Sequence, residues 1–201
     1  MPDADRTLRP SSERKRSAML AAARDLFLAD GYDRTSVDAV AARAGVSKRT
    51  VYDHFTDKDG LFGVVVEQAS SALLGAVEQA ADEELRTDRD LTAALLAFTR
   101  RVATQTLRSS DYAVVKMLLD SGRTVPAVGR QLADGPERLI AARFADLAAA
   151  GIIVALDPQR AADHYEALTF LLALNSPGLD GATVDDLFVD GVDAFVRAYG
   201  G

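Results

Sequence analysis

Apolar residues recur at helical spacing along most of this chain. Between residues 12 and 29 they fall one and three positions apart, which places them on one side of a helix. That stripe consists of Met19, Ala22, Ala23, Leu26 and Phe27. A second stripe from Leu61 to Ala80 predicts a helix that continues to about Glu84 and spans roughly 35–40 Å. No strand-like alternation persists after Thr87, so the pattern predicts an all-α fold.

Between these two stripes, residues 35–55 have the pattern of two short helices joined by a tight turn. Thr35 or Ser36 can cap the first helix, and Gly45 ends it because glycine adopts a left-handed backbone at little cost. Ser47 can cap the second helix, which has an apolar face and a face of hydrogen-bond donors. A short second helix with this division suits the major groove of DNA.

The run from Leu26 to Leu61 contains an ordered set of residues in addition to this pattern. They are Phe27, the Gly31-Tyr32 corner, Thr35, the Ala41-Ala42 pair, Ala44-Gly45-Val46-Ser47, Tyr52, His54-Phe55, and Lys58 followed by Leu61. This set resembles the N-terminal domain of the TetR family of transcriptional regulators and covers roughly the first third of the chain. The later segments resemble a TetR-family C-terminal domain by pattern only.

Residues 1–11 are polar, contain two prolines and are expected to form a mobile tail. The resemblance implies a three-helix DNA-binding domain over 12–56 and a helical effector-binding and dimerisation domain over 57–201. About nine helices are expected in all, with a long helix linking the two domains. The implied function is that of a homodimeric repressor that binds a palindromic operator and is released by a small molecule. The alternative is a helix-turn-helix regulator without an effector, which is constitutive or controlled by a partner.

The predicted DNA contacts lie on and around the second short helix. Lysine and arginine can donate to guanine, and a threonine methyl group can touch thymine. The resemblance implies phosphate contacts from the tyrosine, the histidine and the later lysine, and a threonine at the start of the preceding helix can also bind phosphate. The full predicted set is Thr35, Ser47, Lys48, Arg49, Thr50, Tyr52, His54 and Lys58. Asp53 and Gly60 depart from residues that the family often has at these positions.

The second half of the chain is predicted to contain several further helices. Their predicted spans are Leu91–Leu107, Asp111–Leu119, Val125–Ala133, Pro136–Ala149, Pro158–Leu174 and a last helix from Thr183 or Asp185 to Tyr199. The Gly135-Pro136 pair predicts a break, with Pro136 as the first residue of the following helix. Ile152, Ile153 and Val154 are interpreted as a buried connector rather than a strand.

The last two helices, at about 158–174 and 184–199, have wide apolar stripes. Periodicity alone fits a core role as well as a dimer interface, and the resemblance favours dimerisation. The resemblance also implies an effector pocket in the body, for which polar or soft side chains among the apolar stripes are candidates. These candidates are Phe98, Arg101, Gln105, Tyr112, Met117, His164, Tyr165 and Asn175. A packing or surface role is the preferred interpretation for each of them, as a core role is for Tyr112 and Met117 and a surface role for His164.

The net charge of −7 at first disfavours a DNA-binding protein. However, residues 1–62 carry 11 basic and 10 acidic side chains, whereas the remainder carries 12 and 20. The acidity therefore lies in the part that need not approach DNA, and screening limits its reach to roughly 10 Å. Basic residues near the N-terminus, such as Arg6, Arg9 and Arg16, could contact DNA, although a solvated tail is the preferred interpretation for the first ten residues.

Other classes of protein receive little support from the composition. The chain has no cysteine and only two histidines, His54 and His164, so a disulfide, a thiolate nucleophile and a transition-metal site are not expected. No nucleophile–base motif or glycine-rich phosphate loop indicates an enzyme, and no cofactor is expected. Neither a secretory leader nor an uninterrupted apolar span of membrane length is recognised, so a cytoplasmic location is expected.

Overall fold

The computed structural model describes residues 10–174 and 180–201. The helices are α1 Pro10–Asp30, α2 Val37–Ala44, α3 Lys48–His54, α4 Lys58–Glu84, α5 Leu91–Arg101, α6 Ser110–Asp120, α7 Pro126–Ala149, α8 Pro158–Glu166, α9 Leu172–Leu174 and α10 Gly181–Tyr199. A π-helical turn, Val102–Thr106, extends α5, and another, Ala167–Leu171, joins α8 to α9. With α8 and α9 taken as one, nine continuous helices and no strand occur in the described residues, and this confirms the all-α fold.

The chain forms two compact units. The first unit comprises the chain up to Ala69 together with Ala113–Val125, and the second comprises Ser70–Tyr112 together with Pro126–Gly201. Helices α4 and α6 each contribute residues to both units. The domain boundary expected near residue 57 stays a prediction, but the first turns of α4 belong to the first unit because Leu61 and Phe62 are buried there.

An aromatic cluster lies at the centre of the first unit. The ring of Phe62 meets those of Phe27 and Tyr32 edge-on, at centroid distances of 5.0 and 4.9 Å. Edge-to-face contacts of this kind stabilise a core beyond the area that they bury. The cluster joins α1, the α1–α2 corner and α4.

Helices α2 and α3 begin and end where the sequence predicts. Ser36 Oγ accepts a hydrogen bond from the N–H of Ala39, and Ser47 Oγ accepts one from the N–H of Thr50, each at 3.1 Å. The structure therefore selects Ser36 rather than Thr35 as the first cap. Gly45 has a left-handed backbone with φ of 66°, and this conformation ends α2.

Helix α4 begins with a cap from Asp57, whose Oδ1 accepts from the N–H of Gly60 at 2.7 Å. Of the helices that the structure describes, it is the one that is long and apolar enough to cross a membrane by length and composition alone. Much of its apolar side is buried in the protein, as the fully buried Leu61 and Val66 show. It is therefore a core helix of the two units.

The second unit is organised around four buried aromatic side chains. Phe98, Phe144, Tyr165 and Phe195 are each fully buried, on α5, α7, α8 and α10. The Tyr165 hydroxyl lies 2.5 Å from that of Thr99 and donates to the carbonyl of Leu95 at 3.1 Å. These partners satisfy the polar end of a side chain whose burial raises the pKa of its hydroxyl.

The predicted break at Gly135-Pro136 is wrong, because α7 is continuous from Pro126 to Ala149. Proline cannot donate a backbone hydrogen bond inside a helix, so the continuous helix must be stabilised by other contacts. A Cβ at Gly135 would lie 2.7 Å from Cδ2 of Leu74 on α4. The glycine therefore allows close packing of α7 against α4. Pro126, rather than Pro136, stands at the first helical position.

The remaining boundaries largely follow the sequence. Asp157 caps α8 as predicted, and its Oδ1 accepts from the N–H of Arg160 at 3.1 Å. Helix α10 begins slightly earlier than predicted, because Asp180 Oδ1 accepts from the N–H of Thr183 at 2.8 Å. In the connector before α8, Ile153 is buried and forms an isolated bridge with Gly200, whereas Val154 is exposed.

Candidate nucleic-acid interface

Helix α3 has one buried face and one solvent-facing face. Val51 at its centre and Phe55 just after it are buried. Lys48 and Arg49 are exposed at its start, and 47% of the surface of Tyr52 is exposed to solvent. Because buried and exposed positions alternate with helical periodicity, the apolar contacts hold the donors outward. The helix thus has the form that entry into a DNA groove requires.

The start of α3 is ordered by local hydrogen bonds. The Ser47 hydroxyl caps the helix and also lies 2.8 Å from the Thr50 hydroxyl. These contacts fix the first turn, where side chains of a recognition helix reach base edges. Both hydroxyls lie at the surface and can bind a phosphate oxygen or a base edge.

Two cations at the start of α3 have different surroundings. The Lys48 Nζ donates to Asp38 Oδ2 at 2.9 Å, and this hydrogen bond raises the pKa of Lys48 above its usual value. Both partners are more than half exposed, so the pair itself contributes little to stability. In the part of the chain that the structure describes, Arg49 has no ion-pair partner. Arg49 is therefore the cation more readily available to a ligand.

Other predicted contacts lie beside α3. His54 is half-buried at its end, with its ring 6.3 Å from that of Phe55. The Lys58 Nζ donates to the carbonyl of Asp33 at 3.3 Å and lies 4.1 Å from the centroid of the Tyr32 ring. Asp53, which departs from the family pattern, is exposed.

Thr35 differs from the other predicted contacts because its side chain is buried. Its hydroxyl donates to the carbonyl of Gly31 at 2.8 Å and closes the turn after α1. The side chain therefore lies inside the α1–α2 corner and not on the surface of α3. Any phosphate contact at this position would have to use the backbone rather than this hydroxyl.

Two basic residues outside α2 and α3 lie close to this part of the first unit. Arg16 of α1 places its guanidinium carbon 5.6 Å from the centroid of the Phe55 ring. Arg123, which follows α6, contacts Asp59 at 3.0 Å. No sequence signal points to Arg123, since it lies 64 residues from Asp59 and outside any motif. Arg6 and Arg9 lie outside the described residues.

The candidate effector residues occupy different surroundings. Phe98 and Tyr165 belong to the same buried cluster, with centroids 6.2 Å apart. Arg101 pairs with Glu83 and Glu84 at 2.6 and 3.3 Å. Gln105 is exposed, and Tyr112 is half-buried. Met117 lines an open groove of the first unit. His164 Nδ1 lies 2.6 Å from the Tyr199 hydroxyl. Asn175 lies outside the described residues.

The second unit has a cavity of about 270 Å³ that the sequence did not indicate. The rings of Phe170 and Phe188 line it, together with Arg108. On its wall Arg100 forms a two-pronged ion pair with Asp185, with N–O distances of 2.6 and 2.7 Å. An apolar cavity with a few charged groups is the usual form of a small-molecule site.

The last helices also expose apolar side chains. Leu171, Leu172 and Leu174 are each about half exposed around α9, and Val189 of α10 is 38% exposed. Single exposed leucines are common, whereas several on adjoining helices are typical of interaction surfaces. These residues lie within the two segments for which the resemblance favours a dimer interface.

Comparisons with known proteins decide the family. The sequence profile of the bacterial regulatory proteins of the tetR family matches residues 19–65. A DNA-binding transcriptional repressor, TetR, of Mycobacteroides abscessus is 33% identical over 190 residues, which cover 92% of this chain and 95% of that protein. The chain belongs to the TetR family. The HTH-type transcriptional activator FasR of Mycolicibacterium smegmatis is 40% identical over 93 residues, which cover 44% of this chain and 40% of that protein.

Solved structures of TetR-family proteins agree with this assignment. One such regulator from Mesorhizobium loti superposes with a TM-score of 0.83 at 29% identity, covering 96% of this chain and 100% of that one. The Flavonoid-responsive Regulator FrrA superposes with a TM-score of 0.67 at 27% identity, covering 94% and 98%. The protein is thus a TetR-family helix-turn-helix transcriptional regulator, and the resemblance found in the sequence is confirmed.

Proposed function

We propose that this TetR-family regulator is a cytoplasmic homodimeric repressor that binds a palindromic operator through α3 and is released by a small molecule. The observation that carries the proposal is the division of α3. Val51 and Phe55 anchor the helix, while Lys48, Arg49 and Tyr52 face solvent. Buried anchors beneath exposed donors give a recognition helix a fixed orientation in the major groove.

In this proposal the exposed residues have separate roles. Lys48 and Arg49 donate to base edges such as guanine O6 and N7, and the methyl group of Thr50 contacts thymine. Tyr52, His54 and Lys58 hold phosphates, as does Ser47 at the start of the helix. Phosphate contacts fix the register, and base contacts select the sequence.

Dimerisation through the last two helices is supported by the exposed leucines around α9 and by Val189 of α10. A two-fold dimer places its recognition helices about 34 Å apart, or somewhat more. The operator should therefore be a palindrome with half-sites separated by about one helical turn of DNA. A monomeric protein in solution, or an asymmetric single half-site, would contradict this part of the proposal.

Repression and release by a ligand are supported by two observations. The Mycobacteroides abscessus TetR, which matches along 95% of its length, is a repressor. The structural relative FrrA is flavonoid-responsive by name. The cavity beside Phe170 and Phe188 offers this chain a site for a small amphipathic ligand. To act as an effector, that ligand must favour one arrangement of the dimer by about 1–3 kcal/mol.

The first experiment selects operator DNA from genomic fragments with the purified protein and then compares variants on the selected site. Arg49→Ala should weaken binding about 5- to 150-fold, the range expected for loss of a base contact of about 1–3 kcal/mol. Tyr52→Phe removes one phosphate contact and should weaken it less. Arg86→Ala is the matched control, since Arg86 is an exposed, ion-paired arginine in the α4–α5 loop. If both α3 variants bind as tightly as the control, α3 does not read DNA.

The second experiment screens small amphipathic ligands by thermal shift and then by release of the operator. The expected result is at least one ligand that both stabilises the protein and lowers its operator affinity. Phe188→Ala should reduce that response without changing operator affinity in the absence of ligand. A ligand that releases DNA equally from the Phe188→Ala protein binds elsewhere.

A further inference from the structure

The first unit contains a charged cluster that the helix-turn-helix motif does not account for. It is built on Tyr32, which lies in the corner between α1 and α2 and is 9% exposed. The other members are Asp33, Lys58, Asp59 and Arg123. Arg123 comes from the segment after α6, which belongs to the same compact unit.

Tyr32 is held at its hydroxyl and over its ring. The hydroxyl donates to Asp59 Oδ1 at 2.5 Å. Lys58 Nζ lies 4.1 Å and Arg123 Cζ 3.8 Å from the ring centroid, so two cations share one aromatic side chain. Burial, aided by the hydrogen bond to Asp59, raises the pKa of Tyr32 to about 12, so its hydroxyl remains a donor at neutral pH.

Arg123 contacts both carboxylates of the cluster. Its Nη1 lies 3.0 Å from Asp59 Oδ1, and its Nη2 lies 3.6 Å from Asp33 Oδ1. In contrast, the Lys58 ammonium contacts the backbone carbonyl of Asp33. Arg123 therefore satisfies the two acids and leaves the charge of Lys58 unpaired by either carboxylate.

We propose that Arg123 is a positioning residue for DNA binding, which keeps Lys58 available to a phosphate by neutralising Asp33 and Asp59. The inference rests on the proposed function, because it takes Lys58 to be a phosphate contact. Without Arg123, two carboxylates would lie within reach of the Lys58 ammonium. They would compete with the phosphate for it and repel DNA over the roughly 10 Å at which such charges act.

The chemistry of this position favours arginine over lysine. A guanidinium is planar, so it can lie against the Tyr32 ring while its separate N–H groups reach two different carboxylates. A lysine ammonium keeps the charge but cannot match that geometry. Because it keeps the charge but not the geometry, the Arg123→Lys protein should bind more weakly than the wild type and more tightly than the Arg123→Gln protein.

The test measures operator affinity and its dependence on salt for the full-length protein. Arg123→Gln should weaken binding about tenfold and reduce the slope of log K against log salt by about 0.9, the value for one lost phosphate contact. Asp59→Asn keeps an oxygen that can accept from Tyr32 and should by itself leave affinity unchanged or slightly higher. The Arg123→Gln/Asp59→Asn protein should recover most of both the affinity and the slope.

A packing role for Arg123 would give different results. Loss of packing would lower the melting temperature without changing the salt slope, and Asp59→Asn would not restore binding. Either unchanged affinity in Arg123→Gln or no recovery in the double variant overturns the inference. If Arg123→Gln destabilises the unit, the single Asp59→Asn protein still decides, because weakened binding in that variant contradicts a repulsive carboxylate.

Two reference variants separate this inference from the proposed function. Arg86→Gln removes an exposed, ion-paired arginine elsewhere and should bind normally. Arg49→Ala reports on the recognition helix. If Arg49→Ala weakens binding and Arg123→Gln does not, the positioning role fails and the function stands. If neither variant weakens binding, the DNA-reading assignment itself fails.

Discussion

The two compact units reach their folds by different means. In the first, α2 and α3 have only 8 and 7 residues, yet each has a serine cap at its start. In the second, buried rings contributed by α5, α7, α8 and α10 meet from distant parts of the sequence. Isolated helices as short as α2 and α3 are not stable in water, so their local signals must act together with packing.

The difference teaches where local and long-range interactions matter. Caps and a left-handed glycine set the boundaries of α2 and α3, and these signals are contained within a few residues. The packing of α10 against the π-helical turn that follows α8 instead depends on Gly191, where any Cβ would overlap the carbonyl oxygen of Leu168. The boundaries of the short helices in the first unit are thus set by local sequence. The packing of the second unit depends instead on contacts between residues that are distant in sequence.

The largest expected effect comes from equal truncations in the two units. Phe195→Ala and Phe27→Ala each remove a fully buried ring and should cost about 3–5 kcal/mol. Hydrogen exchange followed by mass spectrometry should show faster exchange in α5, α7 and α10 for Phe195→Ala. For Phe27→Ala it should show faster exchange in α1 to α3. The same pattern of exchange in both variants would show that the two units do not unfold separately.

A smaller effect is expected from Gly191→Ala. The added methyl group has no room beside the Leu168 backbone, and overpacking of this kind costs about 1–3 kcal/mol. Gly181→Ala on the same helix is the matched control, because its Cβ would meet nothing within 4 Å and alanine favours a helix. Chemical denaturation should rank Gly181→Ala at or above the wild-type stability and Gly191→Ala well below it. Equal stabilities would contradict the close approach of α10 to the π-helical turn at Leu168.

The cap of α3 gives an effect of about 1 kcal/mol. Ser47→Ala removes the acceptor for the N–H of Thr50 and should lower stability by that amount. Ser47→Asp keeps a good cap but adds a carboxylate at the proposed DNA surface. Thermal melts should therefore show near-normal stability for Ser47→Asp, whereas operator binding should fall more than in Ser47→Ala. Normal binding by Ser47→Asp would place Ser47 away from the DNA.

At neutral pH the last effect is absent, and it develops only in alkaline solution. Because the folded pKa of Tyr32 is raised to about 12, its contribution to stability is complete below pH 10 and declines as the pH rises towards that value. The decline cannot exceed about 1.4 kcal/mol per pH unit. Tyr32→Phe should flatten the stability curve above pH 10, measured by thermal melts. The buried Tyr165 still contributes in that variant, so a curve identical to the wild type would contradict the role of Tyr32.

Much of the first unit could be predicted because its signals are local. The end of α2 at Gly45 and the cap of α3 at Ser47 were evident from residue type and spacing. The break at Gly135-Pro136 was a wrong prediction for the opposite reason. Local residue types indicate a break there, but Gly135 lies against Leu74 of α4, and this contact between distant residues arises only when α7 packs against α4.

The candidate DNA-binding site also contains some residues whose placement could be predicted from the sequence and others whose placement could not. The exposed donors of α3 could be named from helical periodicity, although their contacts with DNA stay predictions. The buried hydroxyl of Thr35 and the reach of Arg123 to Asp59 could not be foreseen. Whether a polar side chain faces solvent or closes a turn depends on neighbours that approach from other helices. Residue type alone does not determine that.

By itself, the sequence determined that this protein is helical, where its two short helices begin and end, and which family it resembles. Those properties follow from hydrogen bonds and periodicity within a few turns of chain. The tertiary structure alone decided that α7 is continuous, that Tyr165 is buried with its hydroxyl satisfied, and that Arg123 meets Asp59. These features depend on close packing and charge pairing between segments that come together only in the folded chain.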